Sequence, residues 1–334
     1  MISRLIPALF AVSLPLMVAA DEPTGLNVYT HPSFAAEWGP GPAVKEAFEA
    51  QCGCSLNYTV LDSGGDILQR LRLEGSSTPA DVVLGLDTGT METARQTGLL
   101  GRHGQSLERL ALPVNWDDDT FVPYDWGYFA FVYDTEQLSE PPSSLEELVN
   151  APDDLKIIIQ DPRTSTPGLG LLLWMHAVYG DEAPAKWQQL SDKILATTQS
   201  WSDGYFSLFM NGEAPMILSY STSPAYHMAI DKTDRYQAAR FNEGHYLQVE
   251  VAALVESSDN KTLAREFLDF MLTADFQRHL PLKNVMYPAV DLGDELPDVF
   301  DKLITPSEAL YIDPAKVATI RRQLVNDWLD ALTD

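Results

Sequence analysis

The stretch "IIIQDPRTSTPGLGLLLWMH" (Ile157–His176) sets an apolar strand, a polar loop and an apolar helix in direct succession. Three isoleucines bounded by turn residues read as a short strand covered on both faces. Gln160, Asp161, Arg163, Thr164, Ser165 and Thr166 make the polar run, and Thr166 is predicted to cap a helix that Pro167 opens. In α/β proteins, ligands sit in the crevice at the carboxyl ends of the strands. The backbone donors of that first helical turn, with the hydroxyls of Ser165 and Thr166, suit an oxygen-rich or anionic group.

Working outward, "LSYSTSPAYH" repeats the device: a buried strand, then Tyr220, Ser221, Thr222 and Ser223, then Pro224 at a helix start. Strand and helix alternate through the rest of the chain. Strands are predicted at Leu26–Thr30, Leu56–Leu61 and Ala80–Asp87, with helices at Gly41–Gly53 and at "GDILQRLRLEG" closed by Gly75. After the long apolar run Phe121–Asp134 the pattern restarts, and His245–Val255 is a second long strand. An amphipathic helix "NKTLAREFLDFML" follows, then a terminal helix from Pro314 to about Leu332. This alternation predicts a largely parallel sheet flanked by helices, in two lobes joined by extended crossovers. The expected division is 21–125 with about 248–300 as one lobe, and 126–247 with the terminal 301–334 as the other. Residues 1–20 read as a signal peptide, with Arg4, an apolar core to Val18 and a small-residue cleavage site. That predicts a soluble exported protein.

The 334 residues carry 22 Lys+Arg against 48 Asp+Glu, a net charge of −26. Nucleic acid and anionic membrane surfaces are therefore poor partners. The same field attracts cations, although salt screens it beyond roughly 8–10 Å. Trp38 in "FAAEWGPGP", Trp201 in "QSWSDGY" and Tyr226 stand in polar or Gly/Pro-rich surroundings, where a flat cation would gain ~0.5–2 kcal/mol per ring. Trp174, Trp187 and Trp328 lie in helical stretches and read as core. There is no nucleophile elbow, phosphate loop or metal-ligand helix motif. His176 reads as structural, His227 and His245 are expected near the cleft, and Asp117–Asp119 as a solvated turn. The two cysteines, Cys52 and Cys54 in "QCGCS", suggest a local clip at a helix end. No catalytic residue, metal or cofactor is expected.

Taken together, "FAAEWGPGP", "ADVVLGLD", "FVPYDWGYFAFVYD", "QDPRTSTPGLGLLLWM", "LSYSTSPAYH", "EGHYLQVEVAA" and "VMYP" resemble the periplasmic thiamine-binding proteins of bacterial ABC importers. The resemblance runs from about Asn27 to the terminal helix. It implies the type II periplasmic-binding-protein fold, two lobes with two crossover strands and an interlobe cleft. It also implies a ligand that is thiamine, thiamine monophosphate or thiamine diphosphate, and as partner a membrane permease with its ATPase subunit. Ligand contacts carry over onto Ser63, Gly64, Ser165, Thr166, Trp201 and the run Tyr220, Ser221, Thr222 and Ser223, with Trp38 and Tyr226 as cleft aromatics. Three positions depart from the family pattern: Ser63 for an acid, Val285 for an aromatic and His31 for a tyrosine. The rivals are a thiamine-degrading transferase using a cysteine, a ferric-iron binder, and an exported protein feeding a receptor. The enzyme would need an activated Cys52 or Cys54, and the iron binder adjacent tyrosines, a pair this sequence lacks.

Overall fold

The computed structural model describes residues 25–333, so the signal peptide expected over residues 1–20 lies outside the described residues. Among the described residues no helix is long and apolar enough to cross a membrane. The amino-terminal part alternates as the hydrophobic pattern predicts: β1 (Gly25–Thr30), α1 (Pro32–Ala35), α2 (Gly41–Cys52), β2 (Ser55–Val60), α3 (Gly64–Glu74), β3 (Val82–Asp87) and α4 (Met91–Arg95). Gly53, with φ 63°, ends α2 in the left-handed conformation. Then come β4 (Phe121–Asp134), α5 (Leu145–Val149), β5 (Ile157–Gln160), α6 (Thr166–Tyr179), α7 (Ala183–Ser191), β6 (Ile194–Thr198), β7 (Met216–Tyr220), α8 (Ser223–Tyr226) and β8 (Tyr236–Ala238). The chain returns through β9 (His245–Leu254) to α9 (Lys261–Phe270), α10 (Ala274–Gln277), α11 (Leu280–Lys283), β10 (Tyr287–Pro288), β11 (Ala309–Leu310) and α12 (Pro314–Thr333).

The main strand order is β2-β1-β3-β9-β4-β7-β5-β6. The expected parallel sheet holds only toward its two ends, where β1 pairs with β2 and β3, and β5 with β6 and β7. At the centre β4 and β9 run antiparallel to each other and to β7 and β3. Strand–helix–strand crossovers generate parallel neighbours, whereas β4 and β9 each cross between the halves once, in opposite directions. β4 pairs with β9 over Phe121–Tyr128 and with β7 over Phe129–Tyr133, so one strand serves both halves.

In the first half the sheet is covered on both faces. Leu26 and Val28 of β1 face Phe48 of α2 and Phe267 of α9, while Tyr29 faces Ile67 and Leu71 of α3. The second half is built around α6, whose residues Pro167–Met175 are all buried. Trp174, Trp187 and Trp328 belong to that core, as expected from their helical positions. α12 packs on α6 and α7 and also reaches α4 of the first half, because it lies across the seam.

Two β-bulges interrupt the central ladders. Gly85 is the extra residue between β3 and β9, and Tyr124 the extra residue between β4 and β9. On regular ladders Glu250 of β9 would stand opposite Leu86 and Tyr124; with the bulges it stands opposite Asp87 and Asp125. Gly85 has φ 109°, and a Cβ there would fall 2.3 Å from the His31 ring. Gly85→Ala should therefore cost at least about 2 kcal/mol, read as a lower urea midpoint at unchanged slope. An unchanged midpoint would mean that the bulge relaxes freely.

Candidate ligand-binding site

The two halves enclose a cleft of about 610 Å³, within the usual range for small-molecule sites. Most of the predicted residues meet there: Trp38, Ser63, Gly64, Ser165, Thr166, Trp201, Tyr220 and Ser223 all line it. Tyr226 lies just outside, in an adjoining apolar chamber of about 410 Å³ that also contacts Trp38, Trp201, His227 and Val285. Ser221 and Thr222 are a different case. Both are fully buried behind the wall, with hydroxyls that have no hydrogen-bond partner, and neither lines the cleft. Successive side chains leaving a strand point in different directions, so in the run after β7 Tyr220 and Ser223 reach the cleft while Ser221 and Thr222 turn away from it.

Each lining residue has a local reason for its place. Ser63 caps α3: its Oγ accepts from Asp66 N–H at 3.1 Å and donates to Asp66 Oδ2 at 2.6 Å. Gly64 lets α3 approach the β3 bulge, since a Cβ would lie 2.5 Å from the Gly85 carbonyl. The Trp201 indole donates to Ser219 Oγ at 2.8 Å, and Ser219 bonds Ser223 Oγ at 2.8 Å. Its ring stacks on Tyr205 with centroids 4.8 Å apart. Trp201 is thus a fixed, half-buried aromatic face, whereas Trp38 is 55% exposed on the opposite rim.

The opening stretch departs from expectation at one residue. Ser165, not Thr166, is the N-cap, and its side chain makes no capping bond. Thr166 is already helical, and its Oγ1 donates to Asp87 Oδ2 at 2.7 Å, from the second half to the first. The first intrahelical bond, from Leu169 N–H to Ser165 O, leaves the Thr166 N–H ahead of it, and Thr166 lines the cleft.

The floor holds residues the motifs did not single out. Glu250, Lys283, Asn284 and Met286 line the cleft, with Asp125 and Asp87 beside Glu250 in the sheet. Tyr124 donates to Glu250 Oε2 at 2.6 Å, and Asn284 Nδ2 donates to Asp125 Oδ2 at 2.5 Å. Burial pushes the Asp87 carboxyl up against the pull of its Thr166 and Thr90 hydrogen bonds. His31 forms part of the floor, and burial lowers its pKa despite the nearby Glu250 and Asp87, so the ring is neutral at neutral pH. The signal for Glu250 and Asp125 was an acid inside an otherwise apolar strand, "HYLQVEVAAL" and "FVPYDWGYFAFVYD". Val285 follows Asn284 with φ 56°, an outlier for a β-branched residue.

His245 is not at the cleft. Its Nδ1 donates to Phe129 O at 2.8 Å and its Nε2 accepts from Phe241 N–H at 3.0 Å, so it ties β9 into the second core. Burial lowers its pKa to about 4. His227 borders the apolar chamber, between Tyr205 and Asp231. Asp118 is no mere solvated turn residue, since it pairs with Arg95 and accepts from the Thr120 and Phe121 N–H groups. Cys52, the last residue of α2, and Cys54 form a disulfide beside the start of α9 and away from the cleft.

A family model for bacterial extracellular solute-binding proteins matches residues 43–280. The chain belongs to that family. The solute-binding protein is 49% identical over 324 residues to the thiamine-binding periplasmic protein of Escherichia coli (strain K12), covering 96% of this chain and 98% of that one. It is similar to a solved periplasmic thiamin binding protein, with TM-score 0.90 and 50% identity over 93% of this chain and 96% of the other. A ferric binding protein from Campylobacter jejuni aligns with TM-score 0.77 at 20% identity over 92% of this chain and 99% of the other, a likeness of fold alone. The solute-binding protein therefore has the two-lobed periplasmic fold with two crossover strands, and the Thr166–Asp87 bond joins its lobes across the cleft. A hydrogen bond to a carboxylate is worth ~1.5–3 kcal/mol. Thr166→Val should shift the equilibrium toward the open form, seen as a larger radius of gyration in small-angle scattering. An unchanged radius would show that closure does not depend on this bond.

Proposed function

We infer that this chain is a periplasmic substrate-binding protein that captures thiamine and delivers it to an ABC import permease with its ATPase partner. The observation that carries the reading is the convergence of Trp38, Trp201, Tyr220, Ser165 and Thr166 on one cavity, in a chain half identical over nearly its whole length to proteins named for thiamine binding. Thiamine has a positive thiazolium, a flat aminopyrimidine and a hydroxyethyl arm. The fixed Trp201 face suits a flat ring, and the α6 N–H groups with Ser165 suit the oxygen-bearing arm. Lys283 and that helix end favour a phosphate on the arm, which supports binding of the mono- and diphosphate as well. A nanomolar complex needs about −12 kcal/mol. No single stacking contact supplies that, so polar contacts from both lobes must add to burial.

The division into lobes is proposed at the two crossings, near Asp125 on β4 and near Gln248 on β9. The terminal helix is assigned to the second lobe with a contact on the first. The role is binding rather than catalysis. A cysteine-dependent thiamine transferase needs a free thiolate near the ligand, whereas Cys52 and Cys54 are bonded to each other outside the cleft.

Calorimetric titration with thiamine after unfolding and refolding should give submicromolar affinity with one site per chain. Trp201→Ala should weaken binding at least tenfold, about 1.4 kcal/mol; equal affinity would remove Trp201 from the site. The Cys52→Ser/Cys54→Ser double variant should bind thiamine as the parent does. Amine-dependent loss of thiamine that this variant abolishes would instead establish the transferase.

A further inference from the structure

The carboxyls of Asp87, Glu250 and Asp125 form a row across β3, β9 and β4, each directly paired with the next. Like charges opposite one another on neighbouring strands repel, and here Glu250 lines the cleft while Asp87 and Asp125 lie buried on either side of it in the sheet. Asp87 is well served: it accepts from Gly89 N–H, Thr90 Oγ1 and Thr166 Oγ1, and the Arg321 charge reaches it from α12. The inner pair is not. Glu250 accepts from Tyr124, Gln248 and Asn284, all neutral donors. Asp125 is fully buried, with Oδ2 on Asn284 and Oδ1 without a partner.

The groups facing this pair do not neutralise it. From the loop after β1, His31 Nε2 lies 3.9 Å from Glu250 Oε2, but the ring is neutral. Tyr124 of β4 and Tyr220 of β7 are held protonated, first by burial and then by these carboxylates. Asp87 of β3 adds negative charge, and Asn284 beyond α11 adds only an amide. Lys283 borders the cleft without an ion pair to either acid. Among the described residues no group of three or more His, Cys, Asp or Glu could hold a metal ion. What remains to relieve the repulsion is a proton, and one on Asp125 gives that carboxyl a donor toward Glu250. Burial, then the Glu250 charge, holds Asp125 well above the usual carboxylate range.

We propose that the ligand-free cleft keeps one proton on the Asp125–Glu250 pair, and that an organic cation seated over Glu250 displaces it, so that capture is cation-for-proton exchange. Glu250, which reaches the cleft, is the ligand-facing group, and Asp125 beneath it is the proton holder. On binding, the carboxyl O–H breaks heterolytically and the proton leaves to the buffer, while the cation takes over its charge. The row keeps its net charge, and the buried pair never stands doubly ionised without compensation. The site would select permanently charged flat rings over neutral isosteres of the same shape. This rests on reading the cleft as the thiamine site.

The test is titration of refolded protein with thiamine itself, which carries no phosphate to titrate, between about pH 6 and 8.5 in buffers of different ionisation enthalpy. The expected heat differs between buffers by the release of up to one proton per ligand. Because the empty state binds the extra proton, affinity strengthens as pH rises, by up to tenfold per pH unit where release is complete. Asp125→Asn should bind without proton release and with affinity flat across this range. Glu250→Gln should weaken thiamine more than a neutral isostere. Tight binding with the same heat in every buffer, or proton uptake, overturns the exchange and leaves the thiamine reading intact. No binding at any pH overturns both. Should Asp125→Asn fail to fold, the proton count of the parent protein decides alone.

Discussion

The pairing of β4 with β9 is the constraint on which the rest of this protein depends. These two strands carry the chain between halves and lie side by side at the centre of the sheet, so each contributes to the cores of both halves. Any change in their register would move Glu250 relative to Asp125, and with it the bottom of the cleft. A ligand site at the meeting of two bodies is usually held by loops. Here the centre of its floor is sheet, with Glu250 on β9, while His31 and the segment Lys283–Met286 complete it from outside the sheet.

The floor and walls divide the chemistry. Acid is concentrated at the bottom, where Glu250 and its neighbours sit in low dielectric and act strongly over short distances. The aromatic faces stand higher, Trp201 locked by the Ser219–Ser223 hydrogen bonds and Trp38 exposed on the other rim. Backbone donors and hydroxyls at the start of α6 complete the side opposite β3. A molecule with a positive flat ring and an oxygen-bearing arm matches this polarity, and only with both lobes in place. The net charge of −26 sets a favourable long-range background, but the local row supplies the selectivity.

The bulges at Gly85 and Tyr124 are an economical way to build such a floor. Each adds one residue to a strand flanking β9, replacing an apolar or phenolic neighbour of Glu250 with a carboxyl. Functional sites tolerate such local cost when the surroundings enforce it. The enforcement is visible: the His31 ring fills the space that a side chain at position 85 would need, and the Tyr124 phenol is spent on Glu250.

Hydrophobic periodicity, helix-stop glycines and the two strand–hydroxyl–proline turns were legible in the residues, because each is a local rule. They gave the order of elements, the core tryptophans and most of the cleft wall, and the family pattern added the ligand class. Local rules could not say that Ser221 and Thr222 turn inward, that Thr166 reaches for Asp87 instead of capping its own helix, or that His245 belongs to the core. Those outcomes depend on what each side chain meets across the sheet. The acid row is the clearest case: Asp87, Asp125 and Glu250 are far apart in sequence, and only two single-residue register shifts in the folded sheet bring them into line.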